Sequence, residues 1–303
     1  MKNQKNNSLI LYIRGGIGNQ LFQFSTAYAY TKKYNRKLII DINGYLGYKW
    51  NEDAGFLLNQ IINDLEIKVN SHWEYFFTKG RILEFVGRLI RKFFWKKGNI
   101  YNERELFIFD NILMNDAHID GLYGSFQSPK YFNDYFQEII ARINLPITSE
   151  KAIALKNKIT NIKDSIAIHF RDYGDPASGG VEAKKVIGEL EVEYYIKAMD
   201  HINKKIKSPK YFVFSNNIQT AKKKLSDFDN LEFFDYKSEN KWEDMELMTN
   251  CDHNIICNSS YSWWSAFMNK NPNKIVIAPK SWGNLLKEKE NNNDLFPEDW
   301  KLI

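Results

Sequence analysis

Cysteine is scarce in this chain. Its 303 residues include two, Cys251 and Cys257, in a stretch that reads as a helix end followed by a buried strand. They lack the spacing of a metal site, and a reduced cytosol suits them best. Long apolar runs are missing too. None reaches the roughly 20 residues of a membrane span, and Met1 to Ser8 is too polar for a secretory signal. There is no internal repeat, and no low-complexity segment beyond Asn291-Asn292-Asn293. Neither sign of charge dominates. The net charge is +5, a mild excess whose placement matters more than its size. What remains is an ordinary soluble globular composition, 44% hydrophobic and 26% charged.

Aromatic residues are plentiful at 15%, which suits sugar or base stacking as well as cores. The length is that of two domains of about 150 residues. Ser8–Ile13 reads as a strand, about Leu21–Tyr34 as a helix and Lys37–Asp41 as a second strand. Between the first two lies the turn Gly15-Gly16-Ile17-Gly18-Asn19-Gln20. Two chemistries compete for it. A dinucleotide turn wants a third glycine and a distant acid; Asp41 fits the acid, but Leu21 stands where the glycine belongs. In the other reading, glycines let the backbone approach a bulky ligand, and the Asn19 and Gln20 amides bond it. Further on, Lys79 to Lys97 is a basic amphipathic helix, suited to an anionic membrane surface or simply to a core. Pro129–Ile143 reads as one helix with proline in its first turn, and Leu145–Ser149 as the domain boundary.

The second half alternates strand and helix, which implies a parallel sheet covered on both faces. Strands are expected at Ser165–Phe170, Tyr211–Ser215, Leu231–Phe234, Asn254–Cys257 and Lys274–Ala278. Helices are expected at about Val192–Lys207, Gln219–Leu225, Trp242–Asn250 and Tyr261–Asn269. Ligands collect at the carboxyl ends of such strands, and three ends carry polar clusters. The first is His169 to Asp175. Arg171 offers a planar fork for phosphate or carboxylate, and His169 could bond a base or hydroxyl; alternatively Arg171 and the aspartates pair with each other. The second is Ser215-Asn216-Asn217 at a helix head. The third, Asn258-Ser259-Ser260-Tyr261-Ser262, sets serines and backbone N–H groups at a helix start, a ready phosphate cradle or a set of local caps.

Taken together, these pieces resemble the α-1,2-fucosyltransferases of glycosyltransferase family 11. The pattern G-G-[LI]-G-N-Q-[LM]-F-Q is matched by Gly15 to Gln23. G-Y-x-Q-S-x-x-Y-F is resembled by Gly124 to Phe132. The run L-M-x-x-C-x-H-x-I-I-x-N-S-[ST]-F-S-W-W is matched by Leu247 to Trp264, and the tail Leu295 to Trp300 is similar. H-x-R-R-x-D and F-S-D-D are met with departures: Asp172 follows Arg171, the acid falls on Gly174 or, with one insertion, Asp175, and Asn216-Asn217 replaces the acid pair.

The resemblance implies an α/β chain of GT-B type, two Rossmann-like domains facing across a cleft. Residues 1–148 would form the acceptor-side domain, 149–280 the GDP-sugar domain, and 281–303 a tail docking back. The donor would be GDP-fucose, with no metal or other cofactor. Arg171 would contact the diphosphate, Asp244 the guanine together with His169, and the serine run the phosphates, Ser260 and Ser262 especially. Ser215, Asn216, Asn258 and Ser259 would complete the donor site. Asn19 and Gln20, with Gly16 and Gly18, would reach in from the first domain. Leaving GDP develops negative charge, which an arginine and a helix start can meet without a metal. The one D-x-D, Asp227-Phe228-Asp229, reads as a helix end and loop rather than a metal site.

The implied reaction is direct displacement of GDP by an acceptor hydroxyl, plausibly O2 of a galactose in a surface polysaccharide unit. A base must take the hydroxyl proton; the candidates are Asp175, Asp172 and Glu182, with Asp175 favoured as the motif's displaced acid. Three alternatives stay open: another GDP-deoxyhexose donor, a degenerate nucleotide- or glycan-binding relative, and an oxidoreductase built on Gly15–Asp41. The expected location is the cytoplasm, with peripheral contact at the inner membrane face through 79–97 and a lipid-linked glycan as acceptor. No nucleic-acid partner is expected.

Overall fold

The computed structural model describes residues 7–42, 55–68, 99–175, 184–185, 187–228, 230–235, 238–283 and 294–303. Internal contacts divide the chain into two units. One is Met1–Asn144 with Asn293–Phe296; the other is Leu145–Asn292 with Pro297–Ile303.

The first unit holds strands β1 (Ser8–Tyr12), β2 (Lys37–Asp41), β3 (Glu66–Lys68), β4 (Ile100–Asn102) and β5 (Gly121–Tyr123). Their order is β3-β2-β1-β5-β4, and every pair is parallel. Strand β1 is central. Its Leu9 and Leu11 are fully buried while Ser8, Ile10 and Tyr12 are half-buried, the two-residue period of a strand. Helix α1 (Ile17–Tyr34) follows at once, with 14 of its 18 residues buried, so it is enclosed on nearly all sides. It stops at Asn35, which adopts φ +51° while the N–H groups of Asn35 and Arg36 bond Lys32 and Thr31 carbonyls. Short helices α2 (Leu58–Ile61), α3 (Asn111–Asn115) and α4 (Phe136–Arg142) also lie among the described residues of the unit.

Two expectations are corrected here. Helix α1 starts at Ile17, not Leu21, so Gly18, Asn19 and Gln20 lie in its first turn. Only Gly15 needs a left-handed backbone, at φ +79°. Residues Pro129–Ile143 are not one helix. Two single 3₁₀ turns, Pro129–Tyr131 and Asn133–Tyr135, precede α4. The break falls at Phe132, which is fully buried with its ring edge-on to Phe22 at 6.1 Å. Core packing overrides helix continuity there.

The second unit holds β6 (Ser165–Phe170), β7 (Lys210–Ser215), β8 (Leu231–Phe233), β9 (His253–Ile255), β10 (Val276–Ala278) and β11 (Lys301–Leu302). The order is β11-β10-β9-β6-β7-β8, again parallel throughout. Among the described residues, helices α5 (Glu150–Thr160), α6 (Val192–Asn203), α7 (Ile218–Lys224), α8 (Glu243–Thr249) and α9 (Ser260–Met268) accompany the strands. All six residues of β6 are buried, as its apolar run implies. Ile166, Ile168 and Phe170 join a core with Tyr194, Tyr195, Ala198, Met199 and Ile202 of α6. Ala167, on the opposite face, packs with Phe212, Phe214, Leu155 of α5 and Leu247 of α8. Each buried Leu, Ile, Phe or Met among them contributes about 1.5–3 kcal/mol by leaving water.

The α/β class is therefore as the sequence implies, with two all-parallel sheets. The sequence missed α5, which Ser149 caps by accepting the Ala152 N–H, and the three-residue strands β3 and β4. In the tail, Asp294 accepts from the Phe109 N–H and Lys130. Trp300 is buried with its ring 5.4 Å from Trp263. Among the described residues no helix is long and apolar enough to cross a membrane. Residues 79–97 and Glu182 lie outside the described residues.

Candidate active site

In the second unit, β9, β6 and β7 lie side by side; β6 and β7 end level at Phe170 and Ser215, and β9 ends opposite Ile168. Their carboxyl ends bring Asn258–Ser262, His169–Asp175 and Ser215–Asn217 to one edge. Arg171 is half-exposed, its guanidinium 5.8 Å from the Tyr173 ring. Among the described residues no carboxylate lies within 4.0 Å of it. The alternative in which Arg171 and Asp172 pair is not what forms. Asp172 is buried and turned elsewhere: its carboxylate accepts Asn217 Nδ2 at 3.0 Å and the Gly174 N–H at 2.9 Å. Burial opposes its ionisation, yet hydrogen bonds from Thr220 and the Gly174 N–H hold its pKa below the usual carboxylate value.

Asn216 donates to Asp175 Oδ2 at 3.1 Å, and Ser215 Oγ accepts the Asn217 N–H at 3.0 Å. His169 is buried, its Nδ1 3.1 Å from Cys257 Sγ. Burial, then the charge of Arg171, lowers its pKa to about 3, so it is neutral. Burial raises the Cys257 thiol to about 12. The pairing that satisfies both has S–H donating to Nδ1 and the imidazole proton on Nε2.

The serine run divides by role. Ser259 caps α9, its Oγ accepting the Tyr261 N–H at 3.4 Å. Ser262 is fully buried, and its hydroxyl turns back to the Ser259 carbonyl at 3.2 Å. That corrects its part in the expected cradle: in this geometry the Ser262 side chain faces the cap loop. Ser260 is half-buried at the first position of the helix, where aligned peptide dipoles favour an anion. Asn258 is a tie. It donates to the Gly188 carbonyl at 3.0 Å, and its own carbonyl accepts Tyr173 Oη at 2.8 Å.

Asp244 is half-buried in the first turn of α8. Its neighbour Glu243, which the sequence did not single out, is fully buried. Glu243 accepts the N–H groups of Thr148, Ser149 and Glu239 and the hydroxyls of Ser149 and Ser238. Burial opposes its charge, but these bonds keep its pKa below normal. Nothing in the acidic pair Glu243-Asp244 marks which member faces inward. Asp227 bonds Ser226, and Asp229 lies outside the described residues. Among the described residues no group of three or more metal-ligating side chains is present.

In the first unit, the glycine turn is clamped by its own motif. Gln20 is fully buried and donates to the Gly15 and Gly55 carbonyls, both at 2.8 Å, while accepting the Leu57 N–H at 2.9 Å. Gln23 bonds both the N–H and the carbonyl of Arg14. This corrects the expectation for Gln20, whose amide is engaged by backbone. Gly18 is buried inside α1, and Gly16 is its extended N-cap. Asn19 is half-buried and accepts Gln127 Nε2 at 2.7 Å, joining two of the motifs. The dinucleotide alternative fails here, because fully buried Leu21 fills the space a third glycine would open.

Two further residues went unnoticed in the sequence. Arg14 lies 4.7 Å over the Tyr123 ring and donates to its hydroxyl at 3.1 Å. Glu103 accepts the N–H groups of Ser125 and Phe126 at 2.6 and 2.8 Å, and burial raises its pKa. The signal was Gly124: a Cβ there would meet Glu103 Cβ at 2.5 Å.

Over 97% of its length the chain is 28% identical to 98% of an alpha-1,2-colitosyltransferase of Escherichia coli. It is also 28% identical, over 89% of this chain and 93% of the other, to the O-antigen biosynthesis glycosyltransferase WbnK of Escherichia coli. Fucosyltransferase NodZ from Bradyrhizobium aligns with 86% of this chain and 92% of its own at 15% identity and TM-score 0.48, a distant likeness. The family model for glycosyl transferase family 11 matches residues 8–303. From the first strand to the last residue, the chain belongs to glycosyl transferase family 11.

Proposed function

We propose that this glycosyltransferase moves a deoxyhexose from a GDP-linked donor to an oligosaccharide hydroxyl, inverting the anomeric carbon. The observation that carries the reading is Arg171, a half-exposed cation with no carboxylate within 4.0 Å among the described residues, just past the end of β6, the strand beside β9 that leads to α9. A guanidinium and a helix N-terminus suit a diphosphate. Leaving GDP gains negative charge, and both features stabilise it without a metal. Ser260 and the α9 N–H groups would hold the phosphates, with Ser215, Asn258 and Ser259 shaping the cradle. Asp244 would take the guanine edge. Asp175 would accept the proton of the attacking hydroxyl.

Fucose as donor sugar and O2 of a galactose as acceptor follow from the α-1,2-fucosyltransferase resemblance. The named role of the WbnK relative supports an O-antigen unit as acceptor. A second donor, a GDP-linked dideoxyhexose, is favoured by the colitosyltransferase relative. Residues 79–97 remain the proposed contact with an anionic inner membrane face. The experiment is a side-by-side assay of GDP-fucose and a GDP-linked 3,6-dideoxyhexose on a galactoside acceptor, with and without EDTA. An α-1,2-linked fucosyl product indifferent to EDTA supports the first reading. Product from the dideoxy donor alone supports the second. GDP binding without product from either donor would make the chain a binding relative, and loss of product in EDTA would refute the metal-free step.

A further inference from the structure

The chain departs from its family's motifs at Asp172 and at Asn216-Asn217, positions more than forty residues apart. The structure brings all three into one hydrogen-bonded unit. Asn216 Oδ1 accepts the Asp172 N–H at 2.9 Å, and its Nδ2 donates to the Asp172 carbonyl at 3.0 Å. Asn217 Nδ2 donates to Asp172 Oδ2 at 3.0 Å. The two departures are therefore the two sides of one contact. An arginine with two acids and an aspartate with two amides carry the same net charge, so polarity is inverted while charge is kept. Side chains that bond each other can make such an exchange, provided both sides change.

The unit also has a place in the site. Its two bonds to the Asp172 backbone hold the chain where it leaves β6, one residue beyond Arg171. The third bond and the Gly174 N–H occupy both oxygens of Asp172. That keeps the carboxylate away from the guanidinium, although the two residues are adjacent.

We infer that Asp172, Asn216 and Asn217 are positioning residues. They fix the exit of β6 so that Arg171 meets the donor diphosphate, and none of the three binds the donor directly. This replaces the donor-binding role first expected for Asn216 and removes Asp172 from the candidate bases. It rests on the GDP-sugar reading above.

The test exchanges the partners. Asn217→Asp sets two carboxylates against each other across the 3.0 Å now spanned by a hydrogen bond. Adding Asp172→Asn reverses the bond and returns the original net charge. GDP and guanosine are titrated calorimetrically into the unsubstituted chain, both single variants, the double variant and Arg171→Ala. Asn217→Asp should lose GDP affinity on the order of tenfold and leave guanosine binding as it was. The double variant should recover most of that loss. A further variant combining Arg171→Ala with Asn217→Asp, titrated in the same way, should bind GDP little more weakly than Arg171→Ala alone.

A direct donor contact predicts that the double variant stays as weak as Asn217→Asp, and that result overturns the inference. A role in folding alone predicts a lower thermal midpoint with an unchanged ratio of GDP to guanosine affinity, which overturns it equally. If Asn217→Asp does not fold, Asn217→Ala removes the bond without adding charge and should shift the same ratio more mildly. No GDP binding by the unsubstituted chain would refute the GDP-sugar reading, and this inference with it. GDP binding with an unshifted ratio in the variants refutes this inference alone.

Discussion

The glycine turn of the first sheet and the carboxyl edge of the second hold their polar side chains in different ways. In the turn, Gln20 and Gln23 bond main-chain groups of Gly15, Gly55, Leu57 and Arg14. At the edge, Asn217 bonds the Asp172 side chain, while Asn216 bonds both the Asp172 main chain and the Asp175 side chain. A main-chain partner is the same whatever residue carries it, so only one side-chain chemistry answers it. A side-chain partner can be exchanged along with its mate. The motif resemblance runs unbroken through Gly15–Gln23 and departs at Asp172, Asn216 and Asn217, of which Asp172 and Asn217 form such a side-chain pair.

Three substitutions or conditions would break or sharpen this contrast. The largest effect is expected from Arg171→Ala. It should lower kcat/KM by about 3 kcal/mol or more in transition-state terms and leave the thermal midpoint near its original value, since Arg171 makes no salt bridge among the described residues. Initial rates and a melting curve on the same sample check both halves; normal turnover would remove the phosphate role.

Gln20→Leu should do the reverse. It orphans two carbonyls and an N–H in a fully buried setting, at a cost of about 3 kcal/mol of stability. Denaturant unfolding reads this directly. A midpoint unchanged from the parent would mean the turn holds its shape without the clamp.

The smallest effect is acid sensitivity. His169, lowered to about 3, and His253, also lowered by burial, stay neutral when folded. The unfolded chain protonates both near their ordinary value. Stability is therefore complete above about pH 6.5 and declines as pH falls through the window between about 6.5 and the folded values. One such histidine gives a slope of at most about 1.4 kcal/mol per pH unit. Denaturant unfolding at pH 7.5 and pH 5 measures it, and His169→Asn should flatten the slope. Equal stability at both pH values would mean that neither imidazole resists protonation in the fold.

Much of the fold was legible because burial has a period. Strands β1, β2, β6 and β7 fall where apolar runs stand, and α6 to α9 where the periodicity changes. The failures have particular causes. Strands β3 (Glu66–Lys68) and β4 (Ile100–Asn102) have three residues each, β3 with one apolar residue between two charged ones and β4 ending in an amide, so no apolar run marks them as it marks Val276–Ala278. Helix α1 is buried on almost every side, so its first turn lacked the contrast of an amphipathic start. At Phe132 a buried ring interrupted a helix that local preference would have continued.

The sequence by itself determined the α/β class, the two-unit scale and the family, because these rest on apolar spacing and on short contiguous motifs. It also placed the polar clusters at strand ends. Only the tertiary structure decided which polar side chain faces the backbone and which faces outward. Gln20, Ser262 and Glu243 turned inward, while Arg171 was left without a carboxylate partner among the described residues. The reason is geometric. A hydrogen bond is satisfied by whichever group the fold delivers within about 3 Å, and Asn19 finds its partner in Gln127, 108 residues away.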